Sequence, residues 1–358
     1  MDKERVKLFP DELPAGKKFK IKRIKSKRRS RAVFSIFLCI LIFASGVIFS
    51  EAYRNGNIIF PDFLGDKNTS QNGANTPQSN DKKYDINTIY DFDYGLIKDG
   101  DLAVIPLDIS LSEYGDTYIY NDTSFEPDLK SLLEKKNYLP AMTDTEDPVV
   151  LIVHTHTSEA YSEEGKISYT EDEEYARSYD ETENVVAVGK IIADILTQNG
   201  IRTIHATESH DETYKDSYSR SAETIRSYLE QYPSIKYVFD IHRDSIIKSN
   251  GDIVRPVTVV DGQAVAQIMC VVGTNQAGGE DFDWQNNLAL ALSLRSSLNE
   301  KYSNLVRGAC LRPSAYNQHL APVSLLLEIG AGGNSLAEAQ NAAKLLAYQL
   351  VEIIDVGG

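Results

Sequence analysis

The sequence predicts an α/β domain over residues 148–358, with a mostly parallel sheet flanked by helices, following an N-terminal transmembrane helix. Three observations predict it. Short apolar, β-branched runs suited to buried strands recur at Val149–Val153, Ile235–Ile241 and Val323–Ile329. Between them lie stretches whose apolar residues repeat at helical spacing, and helical crossovers are what parallel neighbours require. Near the start, Ala32–Ser50 (AVFSIFLCILIFASGVIFS) runs 19 residues without a charge, long enough to cross a bilayer.

Residues 1–31 form a basic segment, thirteen Lys or Arg against four acids. Beyond the span, residues 51–66 hold one Arg against three acids. Positive charge stays inside, so the N-terminus is expected in the cytoplasm and the rest outside, on a single-pass anchor in the cell membrane. The rival is a cleaved signal peptide; the basic segment is long for one, and Ala44-Ser45-Gly46 makes a poor cleavage site. Residues 51–85 read as a flexible linker, since Asp66–Asp85 is too rich in Asn, Ser, Gly and Gln to bury a core. Residues 86–147 read as an irregular lead-in with a short helix at Pro127–Lys136.

From residue 148 the pattern becomes regular. Val149–Val153 is a strand. Val185, Val188, Ile192, Ile195 and Leu196 mark a helix ended by Asn199-Gly200. A strand at Ile201–His205 follows, then a helix at Tyr218–Gln231 stopped before Pro233, and the strand Ile235–Ile241. Val254–Val260 and Val265–Val272 flank Asp261-Gly262, a hairpin signal. Leu288–Leu298 is helical, Val323–Ile329 a strand, and Leu336–Ile354 an Ala-rich amphipathic helix.

Charge excludes some functions. The chain carries −15 overall and its first 31 residues +9, so the remainder carries −24. An exported domain this acidic does not bind nucleic acid or anionic lipid by bulk attraction. Of three cysteines, Cys39 lies in the span, leaving Cys270 and Cys310; one disulfide is possible, and a cysteine-based zinc site is not expected.

Three strands end in chemistry. Val149–Val153 runs into His154-Thr-His156-Thr-Ser-Glu159, Ile235–Ile241 into His242-Arg243-Asp244, and Val323–Leu327 into Glu328 and a Gly-rich turn. Parallel strands bring such ends to one edge of a sheet, where α/β folds bind ligands. Two histidines and a carboxylate with an open position make a catalytic zinc (Zn2+) site, and a further carboxylate supplies the base that hydrolysis needs. Glu328, directly after VSLLL, is expected to be partly buried with a raised pKa. Plainer readings stand beside these. A strand-end histidine is more often an ordinary residue, and Glu328 could be a buried ion-pair partner of Arg243. His205 and His210 read as solvated loop residues, and His319 as rim or loop.

HTHTSEAY (154–161), NVVAVGKIIADIL (184–196), SYSRSAETIRSYLEQYPSIKYVFDIHRDS (217–245), YNQHLAP (316–322) and LLLEIGAGGNSLAEA (325–339) together resemble the stage II sporulation protein P family, over about residues 100–355 and in the single N-terminal anchor. The resemblance implies a fold similar to zinc N-acetylmuramoyl-L-alanine amidases. It also implies a zinc-dependent peptidoglycan amidase that cuts stem peptides, with endopeptidase activity on cross-links, acting in engulfment. Partners implied are the stage II sporulation proteins D and M. By position His156 and His242 match metal ligands and Glu328 the catalytic glutamate. The third ligand is Glu159, with Glu183 and His154 as rivals, and Arg243 is a candidate to stabilise an oxyanion or substrate carboxylates. The alternative is a non-catalytic wall-binding or scaffold module of the engulfment complex.

Overall fold

The computed structural model describes residues 86–356, apart from residue 91 and the stretches 111–117, 136–138, 141–145 and 171–175. The basic segment, the expected span and the linker lie outside the described residues. Among those described, no helix is long and apolar enough to cross a membrane.

The described elements are α1 (Ile86–Ile89), β1 (Leu102–Leu107), β2 (Ile119–Asn121), α2 (Leu129–Leu133), β3 (Val150–Val153), β4 (Ser168–Tyr169), α3 (Val185–Gln198), β5 (Thr203–His205), α4 (Ser217–Gln231), β6 (Tyr237–Asp244), β7 (Ile253–Val260), β8 (Gln263–Ala266), β9 (Ile268–Gly273), α5 (Trp284–Lys301), β10 (Ala309–Arg312), β11 (Val323–Ala331) and α6 (Leu336–Val356). Their starts follow local chemistry. Asn184 caps α3 by accepting the Val186 N–H at 2.9 Å, and Asp128 caps α2 by accepting from Ser131 at 3.1 Å. The β7–β8 hairpin turns on Asp261 and Gly262, whose φ values of 51° and 77° are the left-handed pair a two-residue turn needs.

Two sheets result, of four strands (β4-β1-β7-β8) and seven (β2-β10-β9-β11-β6-β3-β5). The expectation of a mostly parallel arrangement is corrected: both sheets are mixed. In the larger one β11, β6, β3 and β5 run one way, while β9, β10 and β2, parallel to one another, meet β11 antiparallel. The reason lies at Gln267, where the run expected as one strand breaks into β8 of the small sheet and β9 of the large one. The buried Gln267 side chain donates to Asp108 and Asn304 at 2.7 Å each and accepts from the Ile109 N–H at 2.9 Å. The lead-in, irregular by its pattern, supplies β1 and β2 to the two sheets.

Alternation along the strands sorts the large sheet into two faces. Ile152, Phe239, Ile241, Leu325 and Leu327 face a core built with α3, α5 and α6. Leu151, Val153 and Val238 face α4 through Ile225, and Met269, Val271, Cys310 and Leu326 cluster separately. Cys270 belongs to the first core and Cys310 to this last cluster, so the two thiols are free and on opposite faces. No disulfide joins them. The strands β11, β6 and β3 are adjacent and parallel, so their three polar carboxyl ends meet, as expected.

Candidate functional site

Strand β6 sits between β11 and β3, and Asp240 and His242 point to the same face by alternation. The register pairs His242 with Glu328 directly and Asp240 with Val153, the residue before the HTHTSE segment. His242 is buried; its Nδ1 lies 3.3 Å from Glu159 Oε2 and its Nε2 3.0 Å from Asp240 Oδ1. That second approach is short but not aligned as a hydrogen bond, leaving Nε2 without a partner. Burial pushes the imidazole pKa down, but Asp240 and then Glu159 outweigh it and hold His242 well above the usual histidine range.

The HTHTSE segment divides into residues that hold and residues that are held out. His154 donates from Nδ1 to the Ile241 carbonyl at 3.1 Å, so its Nε2 accepts from His205 Nε2–H at 2.9 Å. Burial, then the neighbouring His205, lowers the His154 pKa to about 3, and both ring nitrogens are spent inside the fold. Thr155 donates its N–H and hydroxyl to Asp240 at 2.8 and 2.6 Å. Thr157 donates to the His154 carbonyl and accepts from the His210 N–H. Ser158 donates to Asp211 from both N–H and hydroxyl. Only His156 and Glu159 of the six direct polar atoms elsewhere. His156 stacks on Tyr214 with centroids 4.6 Å apart and planes 4° apart, meets Tyr218 and His242 edge-on at 5.6 and 5.4 Å, and leaves Nδ1 buried without a partner.

Thus His156, Glu159 and His242 come together, while the rivals for third ligand do not join them. His154 is turned into the sheet, and Glu183 is exposed, accepting from Ser178 at 3.2 Å. Arg243 is buried and spends its guanidinium on the carbonyls of Ala160, Asp244 and Ala176 at 3.0, 3.1 and 2.6 Å. Its backbone N–H donates to Glu159 Oε2 at 3.2 Å. It ties the Glu159 loop to β6 and forms no ion pair with Glu328.

Glu328 keeps a partial opening to solvent, but its Oε2 is buried and unpartnered. Burial first, then the charge of Asp244, pushes its carboxyl up to about 8. Two positive charges oppose this shift, His242 and then Arg307, whose Nη1 donates to Asp244 at 2.9 Å. On the other side Tyr316 meets Tyr218 at 5.5 Å. Tyr316 and Asn317 are both left-handed, at φ 49° and 59°, a conformation that costs non-glycine residues roughly 1 kcal/mol each. The turn is held by Asn317 donating to the Tyr218 carbonyl and by Gln318 donating to the Val271 carbonyl, each at 2.8 Å.

Several site residues went unread in the sequence. Asp240 was legible from its two-residue spacing to His242. His210 is buried, not solvated, donating to the His154 carbonyl at 2.8 Å, and His205 holds His154. Tyr214, Arg177 and Asp211 lie in irregular chain and carried no signal. His319 packs against Phe282.

Gly189 on α3 explains how closely the helix approaches His154. A Cβ there would stand 2.5 Å from His154 Cε1 and 3.0 Å from His205 Nε2. Alanine gains about 1 kcal/mol of helix propensity, but overpacking costs about 1–3 kcal/mol and a disturbed His154–His205 bond about 1 more. Gly189→Ala is expected to lower the denaturation midpoint by the equivalent of about 1–3 kcal/mol. A midpoint at or above that of the parent in urea would show that the histidine pair gives way freely.

The donor set fits a zinc ion in kind: two imidazoles and a carboxylate, with His156 Nδ1, His242 Nε2 and Glu328 Oε2 all buried without hydrogen-bond partners. Among the described residues no three His, Cys, Asp or Glu side chains stand at ligand spacing. His242 is instead drawn between Asp240 and Glu159.

The sequence model of the family Stage II sporulation protein P matches residues 65–351. Stage II sporulation protein P of Bacillus subtilis (strain 168) is 30% identical over 220 residues, 58% of this chain and 51% of that protein, so the match spans about half the relative's length. Among solved structures, the N-acetylmuramoyl-L-alanine amidase from Clostridium difficile 630 is 14% identical with a TM-score of 0.36, covering 60% of this chain and 100% of that one. The N-acetylmuramyl-L-alanine amidase Ami1 from Mycobacterium smegmatis is 13% identical with the same TM-score, covering 61% and 100%.

Proposed function

We propose that this chain, which belongs to the stage II sporulation protein P family, is a zinc-dependent peptidoglycan hydrolase that cleaves the amide between muramic acid and the stem peptide. The observation that carries the reading is the convergence of His156, Glu159, His242 and Glu328 at adjacent strand ends, with three of their buried polar atoms unpartnered. A buried polar atom without a partner costs about 1–3 kcal/mol, and a fold keeps such a cost where a ligand or reacting group meets it.

His156, His242 and Glu159 would hold the metal. Zinc bound there would polarise the scissile carbonyl and lower the pKa of water. The chain's own residues do the rest. Tyr214, stacked on His156, and Asp240, beside His242, fix the two rings. Arg243 fixes Glu159 through its backbone N–H and three carbonyl contacts. Glu328 takes a proton from the attacking water at its carboxylate and delivers it to the departing nitrogen.

Endopeptidase activity on cross-links, a role in engulfment, a membrane anchor at residues 32–50 and partnership with stage II sporulation proteins D and M belong to the same reading, supported by family membership. The test is metal content after dialysis together with mass analysis of fragments released from purified sacculi. A roughly stoichiometric zinc and free stem peptides are expected. Dialysed protein that holds no metal and releases nothing would favour a wall-binding or scaffold module instead.

A further inference from the structure

We propose that Arg177 is an anion anchor at the mouth of the site, taking the α-carboxylate of the stem residue that follows the one at the scissile amide. The inference rests on the amidase reading above and gives its substrate a recognised group.

Arg177 is placed by the candidate ligand itself, since its backbone pairs with that of Glu159 in an antiparallel bridge. Its Nη1 donates to Ser158 Oγ at 2.7 Å and to Asp211 Oδ2 at 2.8 Å. The Asp211 side chain has no solvent exposure, so this end of the guanidinium is fixed. Its Cζ lies 5.4 Å from the centroid of Tyr214, and Tyr214 lies 4.6 Å from the His156 ring. Those two spans, 5.4 and 4.6 Å, bound the separation of guanidinium and imidazole at 10.0 Å.

The rest of the side chain is free to work. Arg177 is 41% exposed, and its Nε and Nη2 make no hydrogen bond with the described residues. Those two nitrogens form one edge of the guanidinium, spaced to receive both oxygens of a carboxylate. Among the other arginines near the site, Arg307 also has Nε and Nη2 without a partner, but both are buried. Arg243 is spent on carbonyls, and Arg307 is 5% exposed and bound to Asp244. The surroundings are acidic, with Glu159, Asp240 and Asp244 in a chain of net charge −15. A substrate carboxylate entering this field is repelled unless a cation meets it. Reach agrees as well: two extended residues span about 7 Å, a length of the same order as the 10.0 Å bound, so a carboxylate one residue beyond the scissile amide's own residue can approach Arg177.

Two muramyl tripeptides that differ only at the second residue's α-group, carboxylate in one and carboxamide in the other, test this. Binding to the full-length protein is measured by calorimetry, and hydrolysis of each by mass analysis. The wild type is expected to bind the carboxylate about tenfold more tightly. Arg177→Lys keeps a charge opposite Asp211 but has one nitrogen for two tasks, so it should keep the parent's melting temperature and bring the ratio close to 1. Arg177→Gln should lose the discrimination and also some stability, because Asp211 is left unpaired. A wild-type ratio near 1, a ratio unchanged in both variants, or no saturable binding of either tripeptide overturns the proposal. Discrimination in binding without hydrolysis of either compound would uphold the anchor and sink the amidase reading.

Discussion

Glu328→Gln is expected to leave a folded protein with its metal content intact and its turnover lowered roughly 10²-fold to 10⁴-fold, the usual worth of a positioned acid–base group. The substitution keeps the shape and removes only the ability to take a proton. Two readings of the residue diverge on stability. A glutamate that is half of a buried ion pair leaves its partner uncompensated when neutralised, at a cost of about 3–5 kcal/mol. The structure removes the arginine that this reading needs. Arg243 donates to three backbone carbonyls, and Arg307 is already bound to Asp244. Glu328 Oε2 has no partner to abandon. Gln at this position therefore costs little or nothing in a denaturation curve. A protein that unfolds several kcal/mol more easily yet keeps near-normal activity per folded molecule would refute the catalytic assignment.

What the sequence disclosed of this site was carried by strands. The runs at 149–153, 235–241 and 323–329 were legible because burial on both faces writes an uninterrupted apolar run, and all three are strands with ends within three residues of those expected. Once they are adjacent and parallel, His156, His242 and Glu328 must fall near one another. Strand direction was not legible. The antiparallel junction of β9 with β11 depends on Gln267 diverting the chain between sheets, and a lone Gln in an apolar run carries no such message. Loops were opaque for a related reason. Asp211, Tyr214 and Arg177 act through contacts across 34 to 58 positions of chain, Arg177 to Asp211 at 2.8 Å and Tyr214 to His156 at 4.6 Å, and irregular backbone has no period that would reveal them. His205 and His210 looked solvated because their sequence neighbours are polar. Those neighbours point elsewhere while the imidazoles grip His154.

Removing ligands should have the other large effect. His156→Ala and His242→Ala are each expected to abolish metal retention on dialysis and to lower hydrolysis by well over 100-fold, since even outer partners of metal ligands are worth about 10–100-fold. The two differ in stability. His156→Ala takes a buried ring from beneath Tyr214 and opens a gap against that half-exposed side chain. His242→Ala removes the imidazole that lies 3.0 Å from Asp240 and 3.3 Å from Glu159, leaving two buried carboxylates facing each other. The second variant is therefore the less stable, and metal content must be read on its folded fraction. Glu159 and Glu183 complete the series. Glu159→Ala should behave as a ligand loss, because its Oε2 is buried against His242 and the Arg243 N–H. Glu183→Ala removes an exposed side chain whose described hydrogen bond is from the Ser178 hydroxyl, so metal, activity and stability should all stay within about 0.5 kcal/mol of the parent. Full zinc in Glu159→Ala with loss in Glu183→Ala is the result that would reassign the third ligand. It would also require the segment between Arg177 and α3 to move, because the structure points Glu183 outward while it seals Glu159 beneath β6 and the Arg243 strut.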